Sequence, residues 1–163
     1  MFSLLGRIEA SALSTWLRES EAMYAFPGIL VLHVLGMALA AGSVAAIALR
    51  LLGVAREIPV TSLRGLLRVA QIGLLLNICS GILLLLAYPT KALTNPIFYL
   101  KLGAIAAAVA LVHQLDRRAL AVNEPLPVEP RKRVAVALLV LTALAIVAGR
   151  LLPYTYTHLL ASH

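Results

Sequence analysis

Apolar residues gather in four long runs, separated by short stretches that hold most of the charge. The first run, Phe26 to Leu49, is 24 residues long and contains no Asp, Glu, Lys or Arg; its one ionisable group is His33. A helix needs ~20 apolar residues to cross a hydrocarbon core ~30 Å thick, at ~1.5 Å per residue. Three further runs meet the same condition, at about 66–88, 96–115 and 134–152. The pattern predicts four transmembrane helices.

The segment before the first run has a different period. Over about 3–24, Leu13, Trp16, Leu17, Ser20 and Tyr24 recur at helical spacing, with Glu9, Arg18, Glu19 and Glu21 in other sectors. This predicts an amphipathic helix of about four turns lying in the membrane interface, a depth that suits Trp16 and Tyr24. The expected fold class is therefore all-α: an integral membrane four-helix bundle with an N-terminal amphipathic interfacial helix, residues 1–163 forming one membrane domain. No secretory leader is expected, because the first apolar run is too long for one and lacks a cleavage site.

Composition agrees. Of 163 residues, 61% are hydrophobic and 13% charged, against ~25% charged in soluble domains. The net charge of +7 would suggest nucleic acid in a soluble protein, but its distribution gives a topological explanation instead. Nine of the fourteen basic residues (Arg50, Arg56, Arg64, Arg68, Arg117, Arg118, Arg131, Lys132 and Arg133) flank the first-to-second and third-to-fourth connections. The rule that basic loops stay cytoplasmic then puts both termini on the extracytoplasmic side. Residues 116–133, with Pro125, Pro127 and Pro130, read as an extended linker, and Pro153 as the end of the fourth span. The single cysteine, Cys79, excludes an intrachain disulfide and is expected to be a buried packing residue.

Gly36, Ala40 and Ser43 share one face of the first span, which lets a neighbouring helix approach closely, and Gly73, Asn77 and Gly81 line one stripe of the second. Asn77 needs a partner in hydrocarbon, either a neighbouring helix or a ligand. Three basic groups then fall at similar depth from the extracytoplasmic ends of their spans: His33 at ~10 Å, Lys101 at ~7 Å and Arg150 at ~4 Å. No span contains a carboxylate. Lys101 and Arg150 have three outlets: snorkelling to the interface, pairing with Glu19 or Glu21 of the interfacial helix, or receiving an anionic ligand, with a haem propionate, a quinone oxygen or an acidic small molecule fitting that field. Candidate cofactor-binding residues are thus His33, Asn77, Lys101 and Arg150. His33, Met37 and His158 form a candidate copper set if the tail folds back over the bundle. His113 lies too far from His33 in depth for bis-histidine haem ligation. No catalytic triad, phosphate loop or acid–base pair is visible, and an enzyme acting alone is not expected; the alternative to a cofactor or copper site is a non-catalytic membrane subunit or assembly protein whose polar residues only hold the helices together.

The motifs SALSTWLRES, LHVLGMALAAGS followed by LRLLG, SGILLL, NPIFYLKL and AGRLLPYT, in this order, resemble an uncharacterised family of small bacterial inner-membrane proteins that carry a domain of unknown function. The resemblance covers most of the chain. More distantly, LHVLGMALAAG looks like the first helix of copper-resistance protein D, itself similar to bundle-type b cytochromes. That likeness implies His33 as a ligand, copper or haem b as the cofactor, and a membrane or periplasmic redox partner. The chain departs from a di-haem cytochrome b, since it lacks four suitably placed histidines.

Overall fold

The computed structural model describes residues 2–54, 57, 59–115 and 128–160; the side chains at 2–4, 60, 61, 128, 129 and 156–160 lie outside that description. Every described element is helical. Two short helices, α1 (Phe2–Glu9) and α2 (Ala12–Glu19), precede the long α3 (Phe26–Leu52) and α4 (Val60–Ala87). A single turn, α5 (Pro89–Leu93), leads to α6 (Pro96–Leu115) and α7 (Val128–Leu160). Four of them (α3, α4, α6 and α7) are long and apolar enough to cross a membrane, over Phe26–Leu52, Ser62–Ala87, Pro96–Leu115 and Pro130–Thr155. They fit a multi-pass membrane protein. Large apolar side chains stay uncovered along them, Val31 at 58%, Leu75 at 62% and Val140 at 60% exposed, which suits helices whose outer faces meet lipid.

The helices pack as two pairs, α3 with α4 and α6 with α7, joined where α3 meets α7. Among the described residues α4 and α6 do not form a packed pair. The α3–α4 seam is backbone on backbone. A Cβ placed on Gly36 would stand 2.7 Å from the Asn77 amide nitrogen and 2.8 Å from the Gly73 carbonyl oxygen; one on Gly73 would stand 2.5 Å from the Ala40 nitrogen. Only glycine permits this approach, and the small-residue face of the first span meets the stripe of the second there.

The buried apolar residues divide between the two ends. Ile47, Leu51, Leu67, Leu115 and Leu138 form one cluster where the basic helix ends gather, and Leu17, Ile29 and Ala87 form the other. The second cluster carries the N-terminal helices. Arg18 and Ser14 both donate to the Ala87 carbonyl, at 3.3 Å each, and so satisfy an acceptor that the end of α4 leaves without a helical donor. Arg18 also pairs with Glu9 at 3.4 Å, and Glu9 accepts from Thr90 at 2.7 Å.

Several expectations change. The segment 3–24 is two helices rather than one: Ser11 interrupts it and caps α2, its hydroxyl accepting from the Ser14 amide at 3.4 Å. Leu17 of that segment is buried at 2% exposure, while Trp16 (46%) and Tyr24 (76%) face outward and touch each other. The helices also outrun their apolar runs, because basic side chains such as Arg50, Arg64 and Arg133 continue the helix past the hydrocarbon-length segment. Residues 116–127 of the expected proline linker lie outside the described residues, and from Val128 the chain is already helical, with Pro130 in the first turn where proline is tolerated. Pro153 does not end α7. The helix runs on to Leu160, and Thr155 and Asn95 supply hydroxyl and amide donors to the Leu152 carbonyl beside it. Cys79 is exposed, since it shares α4's outer face with Ile78 while Ser80 turns inward.

Candidate functional site

The middle of the molecule, between the two buried clusters, holds the polar residues of the spans. His33 of α3 is half-buried. Its Nδ1 lies 3.0 Å from the Ser80 hydroxyl of α4, and its Nε2 lies 3.5 Å from Nζ of Lys101 of α6. The Ser80 hydroxyl has one proton, and its shortest bond, 2.6 Å, goes to the Leu76 carbonyl one turn back. Its oxygen is then the acceptor toward His33, which makes Nδ1 the protonated nitrogen and leaves the Nε2 lone pair to face the lysine ammonium. Asn77 donates from Nδ2 to the His33 backbone carbonyl at 2.9 Å. One turn of α3 is therefore held to one turn of α4 by three polar groups at the level of the glycine seam.

Glycines make room for both the imidazole and the ammonium side chain. Gly81 faces the His33 ring, where an added Cβ would sit 3.3 Å from Cε1. Gly149 of α7 faces Lys101, where an added Cβ would sit 3.5 Å from both Cε and Nζ. Lys101 thus reaches from α6 to α3 with its stem against α7, bridging three helices.

Below Lys101 lies a cavity of about 200 Å³, open on one side. All four long helices line it, with Met37, Asn77, Lys101, Ile105 and Thr142 among its walls. Gln71 of α4 and Val109 and His113 of α6 line it and are also exposed, so they form its rim on the side where α4 and α6 stay apart. Twelve residues of α6 separate Lys101 from His113, a length of ~18 Å. The cavity is a groove, apolar along its walls, with a cation and an amide at one end, Gln71 and Thr142 midway, and an imidazole at the other end.

Of the residues singled out from the sequence, His33, Asn77 and Lys101 come together. Arg150 does not: it is exposed, one residue and ~100° round the helix from the Gly149 that meets Lys101. Glu19 and Glu21 are exposed, and the carboxylate that docks the N-terminal helices is Glu9, paired with Arg18. Met37 lines the groove. The His158 side chain lies outside the described residues, and α7 is still helical at that position. Ser80 was missed; it sits three residues after Asn77 on the inward face, and a hydroxyl in an apolar span was the signal that could have found it. Gly149 was missed as well, having been read only as part of a motif.

His33 and His113 are not placed to ligate one haem iron between them. Nε2, the nitrogen turned to the interior, faces the Lys101 ammonium, and the imidazole of His113 is ~18 Å away along the bundle from Lys101. The third member of the copper set, His158, has its side chain outside the described residues. Among the described residues no three His, Cys, Asp or Glu side chains converge, and His33 and Met37 are left as two ligands on one helix. Comparison with protein-family models, curated proteins and solved structures returns no match. The resemblances read from the sequence rest on its motifs alone.

Proposed function

We propose that this is a bacterial inner-membrane protein, with both termini extracytoplasmic, that binds a lipid-soluble quinone in the groove between its helices and presents it to a membrane or periplasmic redox partner. The reading rests on one observation: Lys101, a cationic donor with no carboxylate in any span, stands at the end of an apolar groove with its Nζ set by the neutral face of His33. An ammonium in a membrane interior is costly, and His33 Nε2 accepts from only one of its three N–H donors, so a further acceptor is called for. A quinone carbonyl is such an acceptor, and the ring and tail of a quinone suit the apolar walls. Asn77 lines the same end and has donors and an acceptor to share between His33 and a ligand. The bound quinone would supply the electron-carrying chemistry; the chain's own part is to hold a donor at its carbonyl.

The test is equilibrium binding of a short-chain benzoquinone to the protein in nanodiscs. Hydrogen bonds from charged groups contribute ~1.5–3 kcal/mol, so Lys101→Met is expected to weaken binding by roughly 10- to 100-fold. Wild-type protein that ignores benzoquinone while binding a fatty-acid anion would replace the quinone with an anionic lipid.

A further inference from the structure

The site has a side door. Its lining residues Gln71, Val109 and His113 are exposed, and all three lie on the two helices that do not pack together. Both ends of the bundle, by contrast, are closed by buried side chains: Ile47, Leu51, Leu115 and Leu138 at one, Leu17, Ile29 and Ala87 at the other. At the second end α2 is also latched onto the last carbonyl of α4. Among the described residues the groove therefore opens sideways between α4 and α6 and not through either end of the bundle. Side chains flanking the opening are themselves apolar and uncovered, Ile72 and Leu75 on α4 and Leu102 on α6.

We propose that the ligand enters laterally from the bilayer between α4 and α6, and that its tail lies along α6 from Ile105 toward His113 while its headgroup rests at Lys101. This rests on the quinone reading and deepens it by fixing the access route and the place of the tail. Charge and length select the occupant. Lys101 takes an oxygen headgroup at one end only, and the remaining ~12 Å of wall from Ile105 to His113 takes one linear chain. The headgroup would sit with its tail directed away from the end that carries α1 and α2, toward the end where the basic side chains gather.

The experiment uses a benzoquinone bearing one linear isoprenoid tail with a terminal diazirine, incorporated with the full-length protein in nanodiscs. After illumination, the labelled residues are mapped by mass spectrometry. The expected result is labelling of groove residues of α6 and α4, such as Val109, Val112, Leu67 and Leu74. Two plugs are then tested separately, Val109→Trp and Gln71→Trp, one on each rim and both at exposed positions, with helicity and elution volume as checks on folding. Each plug is expected to reduce groove labelling at least about tenfold, while Val136→Trp, on the outer face of α7, is expected to label as wild type. Labelling confined to outward-facing residues such as Val31 or Val140, with tail-free benzoquinone still bound, would overturn the lateral groove and leave the quinone reading standing. Loss of both tailed and tail-free binding in wild-type protein would overturn the two together.

Discussion

At the scale of single residues, the arrangement turns on one proton. Because Ser80 spends its hydroxyl proton on the Leu76 carbonyl, His33 must donate from Nδ1, and Nε2 is left as an acceptor for Lys101. The expected ¹⁵N spectrum of selectively labelled His33 is that of the Nδ1–H tautomer. Ser80→Ala removes the acceptor that fixes it, so the spectrum should move toward a mixture of tautomers, with benzoquinone binding weakened about three- to tenfold, on the order of one hydrogen bond. An unchanged spectrum in Ser80→Ala would mean that the hydroxyl does not orient the ring. Gly149 gives a graded companion. Alanine there makes an ordinary contact with Lys101 at 3.5 Å and is expected to bind as wild type, whereas Gly149→Leu should push the lysine aside and bind at least about tenfold more weakly. Much of this cluster was legible in the sequence. His33, Asn77 and Lys101 announced themselves because charge and amide are expensive in an apolar run. Arg150 was named for the same reason and lies apart from the other three, since depth was read from residue count and azimuth was not. One residue along a helix turns a side chain by ~100°, enough to put Gly149 on the lysine and Arg150 outside.

Individual helices obey two sets of rules. Their existence follows from hydrophobic length, and all four long apolar helices were predicted from it. Their ends do not follow, because basic residues with good helix propensity carry α3, α4 and α7 beyond the apolar run. The N-terminal segment went the other way. Its apolar period ran on through 3–24, but Ser11 offered a cap, and Arg18 found better acceptors at Glu9 and Ala87 in a folded-back arrangement than along a continuous helix. The α3–α4 seam yields the sharpest prediction at this scale. Gly73→Ala places a methyl group against the backbone of Ala40 and Gly36, which cannot turn aside as a side chain would. It should destabilise the protein by about 1–3 kcal/mol, read as a lower unfolding midpoint in detergent. Gly42 lies in the same helix as Gly36 with nothing near its Cβ position, so Gly42→Ala should be neutral or stabilising by up to ~1 kcal/mol. Equal effects from the two substitutions would mean that glycine matters here for helix propensity and not for the close approach.

Taken whole, the molecule is asymmetric in charge along its length. Arg50, Arg64, Arg68 and Arg131–Arg133 collect where α3 ends and α4 and α7 begin, while α1, α2 and α5 occupy the opposite end. An even number of crossings leaves the N-terminal helices and the end of α7 on one side. In spheroplasts, protease added from outside is expected to remove a C-terminal tag while sparing one placed in the 116–127 connection; the reverse pattern would invert the orientation. The unpaired side of the bundle has a mechanical consequence as well. With α3 and α7 joined and α4 and α6 apart, the protein is built like a book, its spine the α3–α7 contact and its two covers the helix pairs. Among the described residues, α4 and α6 form no packed seam to latch the covers together, whereas Lys101 crosses from one cover to the other near the top of the spine. How far the pages open is then set by the spine, by that one lysine, and by the lateral pressure of the surrounding lipid.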